Sequence, residues 1–221
     1  MLTLGMDDAG RGPVIGPMVL AGCLISDEVG KKLKKLGVKD SKQLTQKRRE
    51  YLEKIIKEEA EAFEIIIICP EKIDGDNANG IKLNELEGIG FAGIINKINK
   101  GYGKMKVIID CPSPTISKWQ DFVKTKVNTL SNLDVSCEHK ADKNHISAAA
   151  ASVLAKCTRE REMDKIKKIF GGEVGSGYCS DPATQKFLEK HAKKHQDKGI
   201  FRKTWITWKK AYEKISQRTL C

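Results

Sequence analysis

Hydrophobic residues along this chain fall into short runs typical of strands and longer stripes with helical spacing. Leu2, Leu4 and Met6 alternate with small or polar residues, which predicts a strand, and the apolar run 17–25 predicts a second. Thr45 suits the N-cap of a helix whose apolar residues recur every three or four positions. Further strands are predicted at 64–69, 106–110 and 134–138, and further helices at 81–98, around residue 119 and at 145–170. The order β-β-α-β-α-β-α-β-α predicts an α/β sheet covered by helices.

The last part of the chain has a different pattern. A glycine-rich break at 171–177 is followed by Asp181 and Pro182, which suit the N-cap and first position of a new helix. Thr204 can begin another helix, on which one face carries Trp205, Trp208 and Tyr212. We interpret these three rings as a packing face rather than as a platform on which bases stack.

Composition limits the class of protein. The chain has 221 residues, of which 40% are hydrophobic, as expected for a globular protein with one fair-sized core. Its longest apolar runs, such as 65–69, are too short to span a bilayer, and no signal peptide is evident at the N-terminus. Seven cysteines without a CxxC pair indicate reduced thiols. We therefore expect a cytoplasmic protein without a membrane partner.

Positive charge is concentrated near the end of the chain. The formal net charge is +11, and residues 186–214 contain ten Lys or Arg against three acidic residues. Such a segment favours a polyanionic partner, most simply a nucleic acid. A solvated helix face would have the same composition, so charge alone leaves both interpretations open.

Acidic residues lie at or near the ends of several predicted strands. Asp7 and Asp8 end the first strand, Asp110 ends another, and Asp142 follows the last one. A single acid at such a position is usually a turn former or helix cap. Several carboxylates in one site repel one another, and a bound divalent cation removes that penalty. Because the donors are hard oxygens, Mg²⁺ or Mn²⁺ is the predicted ion.

A glycine-framed arginine follows the first acidic pair directly. Gly10, Arg11 and Gly12 leave the backbone accessible, because glycine has no Cβ to keep a ligand away. A strand that presents carboxylates beside such a backbone suits metal-assisted chemistry on a phosphate.

Taken together, six segments of the chain resemble the ribonuclease HII family in order and spacing. They are GMDDAGRGPVIGP (5–17), DSKQLT (40–45), VIID (107–110), EHKAD (138–142), SAAAASVLAKCTRERE (147–162) and GSGYCSDP (175–182). The resemblance implies a ribonuclease H-like mixed sheet covered by helices, with a catalytic domain over residues 1–178. It also implies a basic, helical C-terminal extension over residues 179–221.

The resemblance further implies an activity. Members of this family cut RNA within RNA/DNA hybrids and incise duplex DNA at embedded ribonucleotides. The implied mechanism uses two Mg²⁺ or Mn²⁺ ions and leaves 3′-hydroxyl and 5′-phosphate ends. The implied partner is therefore a nucleic-acid duplex, bound by a monomeric enzyme.

The family's site residues map onto this chain one by one. Its four catalytic, metal-binding carboxylates correspond to Asp7, Asp8, Asp110 and Asp142. The family usually has glutamate at the second position, so Asp8 is one methylene shorter. The groups implied to bind substrate are the backbone of Gly10, Arg11 and Gly12, the Tyr178 hydroxyl at the ribose 2′-hydroxyl, and Lys42 at a phosphate.

A second function class stays open at this point. A non-catalytic or weakly active nucleic-acid-binding module on the same fold would need the same basic C-terminal segment, and Asp8 adds weight to it. Cutting of a labelled duplex with and without Mg²⁺ or Mn²⁺ distinguishes the two. Gln217 and Leu220 begin a pattern similar to a sliding-clamp tail, but no aromatic pair follows, so a clamp-binding tail is not evident.

Overall fold

The computed structural model of the chain describes residues 1–38 and 44–218. Its strands are β1 (Leu2–Ala9), β2 (Met18–Ser26), β3 (Ala62–Ile68), β4 (Met105–Asp110) and β5 (Leu133–Glu138). Its helices are α1 (Asp27–Lys35), α2 (Gln46–Glu59), α3 (Pro70–Ala78), α4 (Leu83–Ile98), α5 (Ile116–Thr125), α6 (Ala141–Asn144), α7 (Ile146–Phe170), α8 (Pro182–His191) and α9 (Ile206–Arg218).

The strands form one mixed sheet in the order β3-β2-β1-β4-β5. β1 pairs antiparallel with β2 and parallel with β4, and β4 pairs parallel with β5. The parallel register places Met6 opposite Ile109 and Asp110 opposite Glu138. The predicted mixed α/β fold is confirmed, and the three strands at this side of the sheet run in one direction.

Three helices were not predicted from the sequence. The α1 helix is capped by Ser26, whose hydroxyl accepts a hydrogen bond from the Val29 amide at 3.3 Å. The α3 helix begins at Pro70, a residue suited to the first turn because its missing N–H has no partner there. The α6 helix is a single turn of four residues. The nine residues of α1 contain two aliphatic side chains with helical spacing, Val29 and Leu33, and α3 has one buried aliphatic residue, Ile73, so these short helices give only a weak periodic signal.

The chain divides into two compact units. The first comprises Met1–Ala9, Val19–Ile66 and Leu83–Thr158, and the second Gly10–Met18, Ile67–Lys82 and Arg159–Cys221. The predicted domain boundary after residue 178 stays a prediction.

The core of the first unit packs β2 against an alanine-rich face of α7. Ala149, Ala150, Ala151 and Leu154 belong to this buried cluster. Small side chains allow a close approach of β1 as well, because a Cβ at Gly5 would overlap the α7 backbone at Ser147 and Ala148. The missing Cβ of Gly5 therefore allows the first strand to lie directly against the backbone of this helix.

The core of the second unit contains the aromatic residues of the C-terminal segment. Trp208 is buried, its ring stacks on Tyr212 with centroids 4.9 Å apart, and Trp205 packs against the same cluster. The three rings thus form the packing face expected from their spacing. The α9 helix begins at Ile206, two residues after the predicted start, because the amide and hydroxyl of Thr204 both donate to Asp74.

Within residues 1–38 and 44–218, no helix combines the length and the hydropathy needed to cross a bilayer.

Candidate active site

The parallel pairing of β1 and β4 brings two of the predicted carboxylates to neighbouring positions. Because Met6 is level with Ile109, the next residues, Asp7 and Asp110, lie side by side where the parallel pairing ends, Asp110 as the last residue of β4 and Asp7 two residues before the end of β1. Asp7 is buried, whereas Asp8 is half-buried. The strand ends thus hold acids where an open α/β sheet binds its ligands.

The Asp7 carboxylate is buried and has two other carboxylates nearby. Burial raises its pKa well above the ordinary value, and the nearby charges of Asp8 and Asp110 raise it further. Hydrogen bonds from Ser152 and from the Asp8 amide, which lies 2.8 Å from Asp7 Oδ1, act in the opposite direction. The charged form of Asp7 is therefore penalised, and a bound cation would offset this penalty.

The fourth predicted carboxylate, Asp142, lies on α6, and the first residue of that helix donates a hydrogen bond to Asp110. The Ala141 amide donates to Asp110 Oδ1 at 2.8 Å, and Asp142 is the next residue along α6. Lys140 has a φ of 60°, a left-handed conformation that turns the chain from β5 into α6. Asp142 is 7% exposed, so a second of the four carboxylates is removed from water.

The four acids have the chemistry of a hard-cation site, although their side chains are not drawn together on one point. Among the described residues, no three His, Cys, Asp or Glu side chains are grouped closely enough to hold a metal ion. What fits a cation here is the chemistry of the donors, because a bound cation would offset the repulsion between carboxylates. These are all carboxylate oxygens, two of them on buried residues, which is a donor set that suits Mg²⁺ or Mn²⁺.

Two polar contacts beside these acids were not expected from the sequence. Ser152 is fully buried on α7 and hydrogen-bonds Asp7. His145 Nε2 lies 2.5 Å from Glu138 Oε1, and Glu138 is the register partner of Asp110. A serine that interrupts the alanine face of α7 is the one local signal that could have indicated the first contact.

The glycine-framed segment after β1 lies in the second unit and is tightly enclosed at its first residue. Gly10 has a φ of 78°, and a Cβ there would overlap the side chain of Arg159. At Gly12, by contrast, a Cβ would meet no described atom within 4 Å. The protein's own packing requires glycine at position 10, whereas the space at position 12 is open to a ligand.

Tyr178 belongs to the same unit and is presented by a fixed loop. Ser176 donates to Asp181 Oδ2 through its amide at 2.6 Å and its hydroxyl at 2.7 Å, and Asp181 Oδ1 caps α8 at the Ala183 amide. The Tyr178 side chain is 46% exposed, and the Arg159 guanidinium lies 5.5 Å from its ring centroid. The hydroxyl is therefore available to a ligand while the backbone beneath it is held.

Both candidate substrate-binding loops are joined by hydrogen bonds. The Val14 amide donates to the Gly177 carbonyl at 2.9 Å, and Arg159 Nη2 lies 3.4 Å from the Ile15 carbonyl. Burial lowers the pKa of Arg159, and its guanidinium faces the Ile15 carbonyl and the Tyr178 ring. The structure thus brings Gly10, Arg11 and Gly12 together with Tyr178 in the second unit. Lys42, the predicted phosphate contact, lies outside the described residues.

Comparison with known families gives a match over nearly the whole chain. The sequence model of the family Ribonuclease HII matches residues 4–208. Ribonuclease HII of Methanococcus maripaludis strain C6 is 41% identical over 219 residues, which cover 98% of this chain and 89% of that relative. Ribonuclease HII of Methanocaldococcus jannaschii is 40% identical over 230 residues and is covered to 99%.

Solved structures give the same result for the fold. The crystal structure of ribonuclease H2 from Pyrococcus horikoshii OT3 superposes with a TM-score of 0.88 at 35% identity, covering 98% of this chain and all of that one. The RNase HII from Archaeoglobus fulgidus, solved in a complex with PCNA, has a TM-score of 0.80 at 36% identity, with 93% of this chain and 95% of that chain covered. A Bst-RNase HIII solved with Mn²⁺ has a TM-score of 0.79 at 20% identity, covers 99% of this chain and 71% of that chain, and is similar in fold alone.

Proposed function

Because this chain belongs to the ribonuclease HII family, whose members are metal-dependent endoribonucleases acting on RNA/DNA hybrids, we propose which of its residues perform the reaction. The metal-binding carboxylates are Asp7, Asp8, Asp110 and Asp142. The observation that carries this assignment is the register of β1 and β4, which places the buried Asp7 beside Asp110, with Asp8 next along the chain. A carboxylate cluster that is costly in the free protein is stabilised when cations bind.

The metal-binding residues act by holding charge in fixed places. When bound, the divalent ions supply Lewis acidity, which activates water as the nucleophile and stabilises charge on the leaving 3′ oxygen. Asp7 is oriented by Ser152 and by the Asp8 amide, and Asp110 is oriented by the Ala141 amide. Pre-oriented carboxylates need no rearrangement at the moment of reaction. The proposed products carry 3′-hydroxyl and 5′-phosphate ends.

Recognition of the ribose is assigned to the second unit. We place the backbone of Gly10, Arg11 and Gly12 and the hydroxyl of Tyr178 at the 2′-hydroxyl, the group that distinguishes RNA from DNA. The open space at Gly12 and the exposure of Tyr178 support this assignment. A site built to hydrogen-bond a hydroxyl rejects substrates that lack it, so incision at a single embedded ribonucleotide follows. Lys42 is assigned to a phosphate on its motif alone.

The class of partner follows from the family, whereas the oligomeric state and the location are part of our proposal. The substrate is a nucleic acid, and we propose a monomeric, cytoplasmic enzyme that acts on RNA/DNA hybrids and on duplex DNA containing ribonucleotides. The PCNA complex belongs to the Archaeoglobus fulgidus relative. In this chain the segment with a clamp-like start, 217–220, runs into residues outside the described part.

The experiment is a comparison of kcat/KM on duplex DNA with one ribonucleotide. Tyr178→Phe should lose about 2- to 10-fold, since one hydrogen bond is worth about 0.5–1.5 kcal/mol, while affinity for all-DNA duplex stays the same. Tyr51→Phe is the matched control, because Tyr51 is also exposed but lies on α2 in the first unit. Equal kcat/KM for the wild type and Tyr178→Phe would remove Tyr178 from the recognition group.

A further inference from the structure

An arginine near the end of the chain donates hydrogen bonds to the candidate recognition loop, which comprises residues 10–12. Both belong to the second unit. Arg202 is fully buried. Its guanidinium donates Nη2 to the Gly10 carbonyl at 2.5 Å, Nη1 to the Arg11 carbonyl at 2.7 Å and Nε to the Gly16 carbonyl at 3.1 Å. One planar side chain thus fixes two successive peptide groups of the loop and also binds the carbonyl of Gly16.

These contacts decide where the amide groups of the loop point. In a trans peptide the carbonyl of one residue and the N–H of the next point in opposite directions. Because the Gly10 and Arg11 carbonyls face the guanidinium, the N–H groups of Arg11 and Gly12 face away from it. Those two amides belong to the backbone that is proposed to recognise the 2′-hydroxyl.

The third carbonyl of the loop is held by a neighbouring ring. Trp205 Nε1 lies 3.1 Å from the Gly12 carbonyl, and the Arg202 guanidinium lies 5.0 Å from the Trp205 ring centroid. The carbonyls of Gly10, Arg11 and Gly12 therefore all have side-chain donors from the segment 202–205. A loop of glycines, which would otherwise sample many conformations, is restricted to one.

The segment that supplies these donors is itself fixed. The Arg202 amide donates to the Val14 carbonyl at 2.9 Å. Asp74 on α3 accepts from the Lys203 amide at 2.6 Å and from the Thr204 amide at 3.0 Å. The donors consequently stand on a backbone with its own anchors and do not depend on substrate for their position.

We propose that Arg202, together with Trp205, is a positioning residue for ribonucleotide recognition: it orients the Arg11 and Gly12 amides toward the 2′-hydroxyl. The proposal rests on the function assigned above to the Gly10–Gly12 backbone. It gives the basic C-terminal segment a role in specificity that differs from general attraction of phosphates. Arginine is required because its planar fork presents several donors at fixed angles, which the single ammonium of lysine does not.

The test measures binding, in buffer with Ca²⁺ and without Mg²⁺ or Mn²⁺, to two duplexes that differ in one 2′-hydroxyl. The quantity of interest is the ratio of Kd for all-DNA duplex to Kd for duplex DNA with one ribonucleotide. Arg202→Lys and Trp205→Phe should each lower this ratio about three- to tenfold and leave the Kd for all-DNA duplex unchanged, since each removes hydrogen bonds that orient the loop.

Trp208→Phe is the matched control. Trp208 lies in the same apolar cluster as Trp205, but among the described residues its buried Nε1 has no hydrogen-bond partner. The substitution therefore makes the same change of ring without removing a hydrogen bond to the loop. Thermal unfolding of each variant establishes whether it is folded. If Arg202→Lys does not fold, Trp205→Phe alone tests the proposal.

The outcomes separate this inference from the proposed function. A wild-type ratio of one would contradict recognition of the 2′-hydroxyl itself. A wild-type ratio above one that Arg202→Lys and Trp205→Phe both preserve would overturn the positioning role and leave the proposed function standing. Equal weakening of both Kd values would also overturn it, since that is what a general loss of structure produces.

Discussion

At the scale of single residues, Asp7 combines burial with two carboxylate neighbours, Asp8 and Asp110, which is unfavourable for a protein without bound cations. Its raised pKa means that the folded protein binds a proton there more readily than the unfolded chain does. Stability contributed at this position therefore falls as pH rises from the unfolded value of about 4 through the raised pKa. At neutral pH the Asp7 position therefore contributes less to the stability of the fold than it does at acidic pH.

The first prediction concerns this residue. Asp7→Asn should abolish cleavage and raise the free energy of unfolding at pH 7 without metal, because the amide keeps an oxygen acceptor but carries no charge. Urea unfolding and a cleavage assay measure the two effects. Asp134→Asn is the control, since Asp134 is an exposed acid at the opposite end of β5. Full activity in Asp7→Asn would end its assignment as a metal ligand.

The second prediction concerns the departure at Asp8. Asp8→Glu should raise the cleavage rate in Mg²⁺, because one more methylene restores the reach of the glutamate that the family usually has. The measurement is kcat with Mg²⁺ and with Mn²⁺ for both proteins. A slower variant with either ion would mean that the surrounding structure is adapted to the shorter side chain.

At the scale of elements, hydrophobic patterns predicted the strands and the long helices, and therefore the two neighbouring strands that carry Asp7 and Asp110. They did not predict α1, with Gly30 in its middle, or α3, in which Ile73 is the one buried aliphatic side chain within the helix. Such helices are stabilised by tertiary packing and caps rather than by an apolar stripe.

The supporting contacts of the candidate site were beyond local patterns for a physical reason. Arg202 and Gly10 are 192 residues apart, and Trp205 and Gly12 are 193 apart. A hydrophobic pattern within a short stretch of sequence cannot indicate a contact between residues so far apart in the chain. The residue types of the candidate recognition loop, residues 10–12, could be predicted from the sequence, whereas the side chains that hold its backbone could not.

The third prediction concerns the cap of α8. Hydrogen bonds from Ser176 lower the pKa of Asp181 to about 2. A lowered pKa stabilises the fold above the unfolded value of about 4, and this contribution is lost as pH falls from about 4 through about 2. Asp181→Ala should cost about 1 kcal/mol at pH 7, the usual value of an N-cap.

Asp181→Asn separates the two contributions of this residue, since it keeps a capping oxygen but does not titrate there. Its free energy of unfolding, measured by urea between pH 2 and pH 7, should change less between pH 2 and pH 4 than that of the wild type. An identical pH dependence for both proteins would mean that the Asp181 charge contributes nothing to stability.

At the scale of the whole molecule, the net charge of +11 is unevenly distributed along a chain that forms two units. Residues 186–214, which hold much of this charge, all belong to the second unit. Deletion of this segment would also remove buried core residues such as Phe187 and Trp208. Its electrostatic role is therefore better tested by exposed lysines than by truncation.

The fourth prediction compares two sets of four Lys→Gln substitutions at exposed positions. The first set is Lys186, Lys194, Lys209 and Lys210, in the second unit, and the second set is Lys31, Lys34, Lys54 and Lys100, in the first. The first set should reduce the slope of log Kd against log salt for duplex DNA by roughly 0.9 for each phosphate that the protein no longer neutralises. The control set removes the same net charge. Equal changes in slope would mean that net charge, and not this segment, governs binding.

The central claim is that the four carboxylates make this chain a metal-dependent endoribonuclease. The most direct measurement is cleavage of an RNA/DNA hybrid and of duplex DNA with one ribonucleotide, with Mg²⁺, with Mn²⁺ and with EDTA, for the wild type, Asp110→Asn and Asp134→Asn. We predict that the wild type and Asp134→Asn cut both substrates only with a metal ion and leave 3′-hydroxyl and 5′-phosphate ends. Asp110→Asn should cut neither. Cleavage by Asp110→Asn at the wild-type rate, or a wild type that binds both substrates and cuts neither with either metal, would contradict this claim.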